Sequence, residues 1–145
     1  MSQLIQLVYA SRSAFVVPKN FKGIDPTVGR ILLQSRKSNK RLGLVGVLYF
    51  GEGRFFQCLE GDVDSVDALY QKILVDPRHQ ELKMLSRKNI DQYSFANWDM
   101  KFVPLEEAMV HLLKARGHQS FDPHSFDASM VESVLALLQQ AVAAP

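Results

Sequence analysis

Cysteine is nearly absent from this chain, and the single one, Cys58, excludes an internal disulfide framework. It fits a reducing compartment, and its place in an apolar run reads as a small core residue. No apolar stretch approaches the ~20 residues a membrane helix needs. The N-terminus lacks a basic segment followed by an apolar stretch and a cleavage site. These absences predict a cytoplasmic chain with no membrane partner. Charge of one sign is not in excess: 17 Lys and Arg against 15 Asp and Glu leave +2, too little to argue for nucleic acid. The local cluster Arg36, Lys37, Lys40 and Arg41 fits the C-terminal end of a solvated helix. His111, His118 and His124 lack metal-ligand spacing with cysteine or carboxylates, so they read as surface residues and no metal is expected. The glycine-rich dinucleotide fingerprint is missing too, because Gly51-Glu52-Gly53 runs on into Arg54-Phe55-Phe56. No nucleophile–base–orienter set is visible, and the chain is not read as an enzyme.

What is present is enough apolar residue for one core: 47% hydrophobic against 22% charged over 145 residues. Ile5, Leu7 and Tyr9 alternate with Gln6, Val8 and Ala10, which predicts a first strand, followed by a polar loop over 11–23. Asp25-Pro26 supplies a helix N-cap with proline at the first helical position, and Val28, Ile31 and Leu32 carry the helix to about Asn39. Gly43 closes that helix or begins the next element. A strand over 44–50, a hairpin at 51–53 and a strand over 54–60 follow. Asp62 caps a second helix with Val63, Val66, Leu69, Tyr70 and Ile73 on one stripe, stopped by Pro77. Strands are expected at 82–85 and 100–103, then helices at 106–114 and 129–142, with a loop containing Pro123 between them. The order βαββαββ predicts an α+β, ferredoxin-like sandwich with two helices on one sheet face. The wide apolar stripe of the last helix must cover the other sheet face or an oligomer interface. The expected division is 1–104 for the sandwich and 105–145 for a helical extension.

One run carries the functional information: Phe55-Phe56-Gln57-Cys58-Leu59-Glu60-Gly61. Phe55, Gln57 and Leu59 share a face, which places an amide among core side chains. Such an amide is costly unless it is hydrogen-bonded, and it can exchange donor for acceptor by rotating. With strands one and three adjacent in the sandwich, Tyr9, Gln57 and Asn39 converge on one cleft. Singly, each has a plainer reading: Tyr9 as a half-buried strand tyrosine, Gln57 as an edge-strand residue, Asn39 as a helix C-terminal residue, and Trp98 and Met100 as core.

Jointly they resemble the BLUF family of bacterial blue-light sensors that use flavin. The matching pieces are Leu7-Val8-Tyr9-Ala10-Ser11, Ser35-Arg36-Lys37-Ser38-Asn39, Gly43-Leu44-Val45-Gly46-Val47-Leu48, the Phe55–Gly61 run, Asp76-Pro77-Arg78-His79 and Phe95-Ala96-Asn97-Trp98-Asp99-Met100. The likeness runs from about Leu4 to Val103 and is closest to short, stand-alone members.

The resemblance implies that residues 1–104 bind flavin, with FAD as the usual form and FMN or riboflavin as alternatives. It implies that Tyr9 gives an electron and a proton to the excited flavin, and that the Gln57 amide rotates or tautomerises to produce a red-shifted state. Asn39 then holds the pyrimidine edge, with Ser38 where Asn or His often stands. Ile31, Leu32 and Leu48 serve as apolar walls. Lys72, Asp76, Arg78 and His79 lie toward the ribityl-phosphate end. Trp98 and Met100 relay the signal, and which of the two lines the pocket stays open. The implied partners are a homo-oligomer and a downstream protein. Two other classes compete on the same sandwich: a flavin-free interaction or oligomerisation module, and a small acylphosphatase-like enzyme.

Overall fold

The computed structural model describes residues 3–14, 26–95, 101–102 and 106–143, with side chains throughout except at 101, 102, 106 and 141–143. The expected N-cap Asp25, together with Trp98, Met100 and Val103, lies outside the described residues. In chain order the elements are β1 (Leu4–Ser13), α1 (Pro26–Leu42), β2 (Val45–Gly51), β3 (Arg54–Asp62), α2 (Val63–Leu74), β4 (His79–Asn89), β5 (Lys101–Phe102), α3 (Glu106–Ala115) and α4 (Ala128–Ala143), with a 3-10 turn at Pro123–Ser125.

Among the described residues the strands form one sheet in the order β4-β1-β3-β2-β5. The first four run antiparallel to their neighbours, and β5 joins β2 in parallel. This is the predicted ferredoxin-like sandwich with a fifth strand at its edge. β1 and β3 lie at its centre and are buried on both sides over most of their length, which is why neighbouring residues such as Leu7 and Val8 or Phe55 and Phe56 are both apolar.

The alternation of side chains divides the core in two. On one face Ile5, Leu7, Tyr9, Leu48, Phe55 and Leu59 pack against Val28, Ile31 and Leu32 of α1 and Val66 and Tyr70 of α2. On the other, Val8, Val47, Tyr49, Phe56 and Cys58 pack against Met109 and Leu113 of α3, Phe121 and Phe126, and Met130, Val134 and Leu138 of α4. Of the two covers open to the last helix, the structure shows the free face of the sheet. Burial pushes the Cys58 thiol well above its ordinary range, as suits an inert core residue.

Helix ends follow local chemistry. Gly43, at φ +72°, closes α1, and the Leu44 N–H returns to the Asn39 carbonyl at 2.8 Å. The Asp62 carboxylate caps α2 by accepting from the Asp64 N–H at 3.2 Å. A Cβ on Gly61 would lie 2.2 Å from Leu44 Cδ2, so a larger residue there must displace the buried Leu44 side chain.

Three expectations need correction. β1 continues through Ser11, Arg12 and Ser13 where a loop was expected, because Ser11 is fully buried and its hydroxyl bonds His79 Nδ1 at 2.8 Å. β4 runs over 79–89 rather than 82–85. As an edge strand it is largely polar, and its register shifts between Ala10 and Arg12 of β1, with Glu81 at φ +53°. His124 is not a plain surface residue: its Nε2 lies 2.6 Å from the Glu81 carbonyl and its Nδ1 3.1 Å from Arg54 Nη1.

Candidate functional site

The site begins as a cross-strand pair. Tyr9 of β1 stands opposite Gln57 of β3, and Gln57 stands opposite Leu48 of β2. Tyr9 is fully buried and Gln57 nearly so. The phenol donates its O–H to Gln57 Oε1, so the far end of that amide is a double donor.

Two helices wall the space above this pair. Ile31, Gln34, Ser35 and Ser38 of α1 line one side; Leu69, Lys72 and Ile73 of α2, with Asp76 just beyond it, line the other. Each set has i, i+3, i+4, i+7 spacing, so each is a single helical face. Arg78 and His79 complete the lining of this cleft, which is open to solvent and has a cavity volume of about 160 Å³. Ser38, Leu69 and Lys72 also border a second hollow formed with Arg41, Leu42, Asp64, Ser65 and Ala68. The two helices therefore leave one long groove.

Burial sets the electrostatics. The Tyr9 phenol is pushed far above its ordinary range, first by burial and then by Tyr70 and Asp76. Tyr70 lies with its ring centroid 5.5 Å from that of Tyr9, and burial raises it as well. His79 is pushed down to about 4 by burial, against the pull of Asp76, and remains a neutral imidazole at neutral pH. Its ring lies 4.6 Å from that of Phe55. The Arg78 guanidinium holds the Asp76 carboxyl below its usual range, with Nη2 2.6 Å from Oδ2. The same Nη2 reaches Gln34 Oε1 at 2.7 Å, which ties the turn after α2 to α1 across the groove.

Of the residues singled out by sequence, the groove gathers Tyr9, Ile31, Ser38, Gln57, Lys72, Asp76, Arg78 and His79. Leu32, Asn39 and Leu48 are buried beside it and are not in its lining. Trp98 and Met100 lie outside the described residues. Sequence reasoning missed Gln34, Ser35, Leu69 and Ile73, although helical spacing from Ile31, Ser38 and Lys72 was a signal for all four.

The donor set suits a flat, mostly apolar heteroaromatic ligand with polar edges. A phenol–amide pair lies at the floor, aliphatic side chains form the walls, and cations stand at the rim. A flavin fits that description: its ring system is planar, its heteroatoms accept and donate, and its tail is polar.

Comparison with known proteins points the same way. Residues 4–101 match the family described as BLUF, sensors of blue-light using FAD. The photo-activated state of BlsA superposes with a TM-score of 0.83 at 31% identity, covering 94% of each chain. The dark-state structure of BlrB, a BLUF protein, gives 0.70 at 28% identity, covering 99% of this chain and 97% of that one. Subunit alpha of the photoactivated adenylate cyclase of Euglena gracilis is 32% identical over 73 residues, half of this chain. This chain spans only 7% of that cyclase's length. No helix among the described residues is long and apolar enough to cross a membrane.

Proposed function

This chain belongs to the BLUF family of flavin-binding blue-light sensors, and on that premise we propose that Tyr9 and Gln57 are its photoactive pair. The observation that carries the reading is the Tyr9 O–H donated to Gln57 Oε1 at the floor of the groove. These 145 residues act as a sensor unit and not as an enzyme. Family membership sets aside both the acylphosphatase-like and the flavin-free alternatives.

Bound flavin supplies blue absorption and, once excited, a strong oxidant. The chain's residues do the rest. With a flavin bound, Tyr9, kept protonated by burial, would give up an electron and a proton to the excited ring and would regain both, leaving only the hydrogen bonds changed. Gln57 answers by rotation or tautomerisation of its amide, which exchanges the donor and acceptor roles of its two ends. That changed bonding pattern is the stored signal. Ile31, Leu69 and Ile73 exclude water from the ring site, with Leu32 and Leu48 packed behind them. We assign the ring's polar edge to Ser38 of the lining and to Asn39, buried beside it at the end of α1. Lys72 and Arg78 take the tail, with Asp76 orienting Arg78 and neutral His79 packing against Phe55.

The form of flavin is FAD, in keeping with the family's description, with FMN and riboflavin as alternatives that fill the same ring site. Residues 1–104 constitute the sensing unit. The signal leaves by protein contacts, through Trp98, Met100 and the helices of 105–145, to a downstream protein, with the chain itself a homo-oligomer in the cytoplasm. The sole cysteine, buried and protonated, suits that compartment.

The test is colour. Purified chain is expected to be yellow, to move slightly to the red under blue light and to recover in darkness. A colourless chain that takes up no flavin on reconstitution overturns the reading.

A further inference from the structure

Glu60 is a fully buried carboxylate on the sheet face turned away from the groove. Its Oε2 accepts from Gln6 Nε2 at 2.9 Å. Its Oε1 accepts from two consecutive backbone amides, Ser94 N–H and Phe95 N–H, each at 2.9 Å. Three N–H donors thus satisfy a charge that burial alone would make prohibitive. Nothing in the photochemical reading uses this group, and its position relative to Gln57 gives it a purpose.

Gln6 and Glu60 are directly opposite each other on β1 and β3, as Tyr9 and Gln57 are three rungs away. One polar pair faces the groove and the other faces the C-terminal helices. Both use the same two strands, and β3 is paired along its length on both sides. Any change in how Tyr9 and Gln57 bond across β1 and β3 therefore acts on strands that Gln6 and Glu60 also bridge. Ser94 and Phe95 lead toward β5, whose Phe102 pairs with Leu48, which itself pairs with Gln57. Phe95 is fully buried in the core beneath α3 and α4.

We infer that Glu60 is a positioning residue for the light response. It ties the Ser94 and Phe95 backbone to β3, so that a change in the Gln57 amide on one sheet face is delivered to Ser94 and Phe95 on the other. The inference rests on the reading of Tyr9 and Gln57 as the photoactive pair.

The test follows the Ser94 and Phe95 amide signals by nitrogen-15 NMR in the FAD-loaded chain, in darkness and under blue light, alongside the absorption spectrum. In the unaltered chain both amides are expected to shift on illumination. Glu60→Met keeps much of the bulk and removes both acceptor oxygens, whereas a glutamine would keep an oxygen able to accept from both backbone N–H groups. Glu60→Met is expected to retain the absorption shift within about twofold while the shifts at 94 and 95 fall at least threefold. A purely structural role would leave those light-induced shifts in proportion to the absorption change. Amides at 94 and 95 that stay still while the spectrum moves overturn the proposal, as does an undiminished response in Glu60→Met. If that variant does not fold, the unaltered chain decides through the first criterion and through hydrogen exchange in darkness, where both amides should exchange at least tenfold more slowly than unprotected amides of the same sequence; exchange at the unprotected rate overturns it. An unaltered chain whose spectrum does not move in light overturns the reading of Gln57 itself, and the relay with it.

Discussion

Tyr9 and Gln57 are partners on adjacent central strands, and the phenol donates to the carbonyl end of the amide. Neither can change its bonding without the other, because the O–H of one is the ligand of the other. Replacing Gln57 by Leu keeps the bulk and removes both donor and acceptor. Gln57→Leu is expected to bind flavin and to show no red-shifted product by absorption spectroscopy. A normal shift would reassign the switch.

Tyr9→Phe removes one hydroxyl from a fully buried site. Flavin retention should change little, by roughly the 0.5–1.5 kcal/mol of one hydrogen bond. The photocycle should be lost, since the remaining ring has no proton to surrender. Transient absorption checks this, and an unchanged cycle would point to a different donor such as Tyr70.

Asn39 lies in the penultimate turn of α1, next to Ser38 in the groove lining. Asn39→Ala should weaken flavin binding by roughly two- to tenfold, the equivalent of one hydrogen bond. Fluorescence titration of the flavin-free chain measures it. Unaltered affinity would remove Asn39 from the set of flavin contacts.

His79 gives the fold a pH dependence of definite sign. Its folded value is depressed to about 4 from an ordinary 6.5, so the unfolded chain takes up the proton first. Stability is fully present above pH 6.5 and falls as the pH drops toward 4, by up to about 3 kcal/mol. Urea midpoints across this window should decline in the flavin-free chain. In His79→Gln the decline should flatten.

Gly61→Ala should destabilise the chain by about 1–3 kcal/mol, because the added Cβ meets Leu44 Cδ2 at 2.2 Å in a packed core. Thermal unfolding reads the loss. An unchanged midpoint would mean that Leu44 repacks at no cost.

Much of this site could be read before any coordinates. Strict alternation in β1 and β3 put Tyr9 and Gln57 on the same sheet face, and the apolar stripes of α1 and α2 set those helices over them. β4 was underestimated because an edge strand needs few apolar residues, and its irregularity at Glu81 leaves no mark in composition. The role of Ser11 was hidden because its partner, His79, is 68 residues away. Glu60 escaped for the same reason. A buried carboxylate looks like any strand-end glutamate until the fold brings Gln6, Ser94 and Phe95 to it. Local pattern reports which way a side chain points, and says little about which distant backbone will come to meet it.

The placement of α3 and α4 behind the sheet has a consequence for engineering. A single layer of strands separates the groove over Tyr9 and Gln57 from these helices. An actuator grafted onto the rear helices would sit one strand's thickness from that groove, with the sheet itself as the coupling.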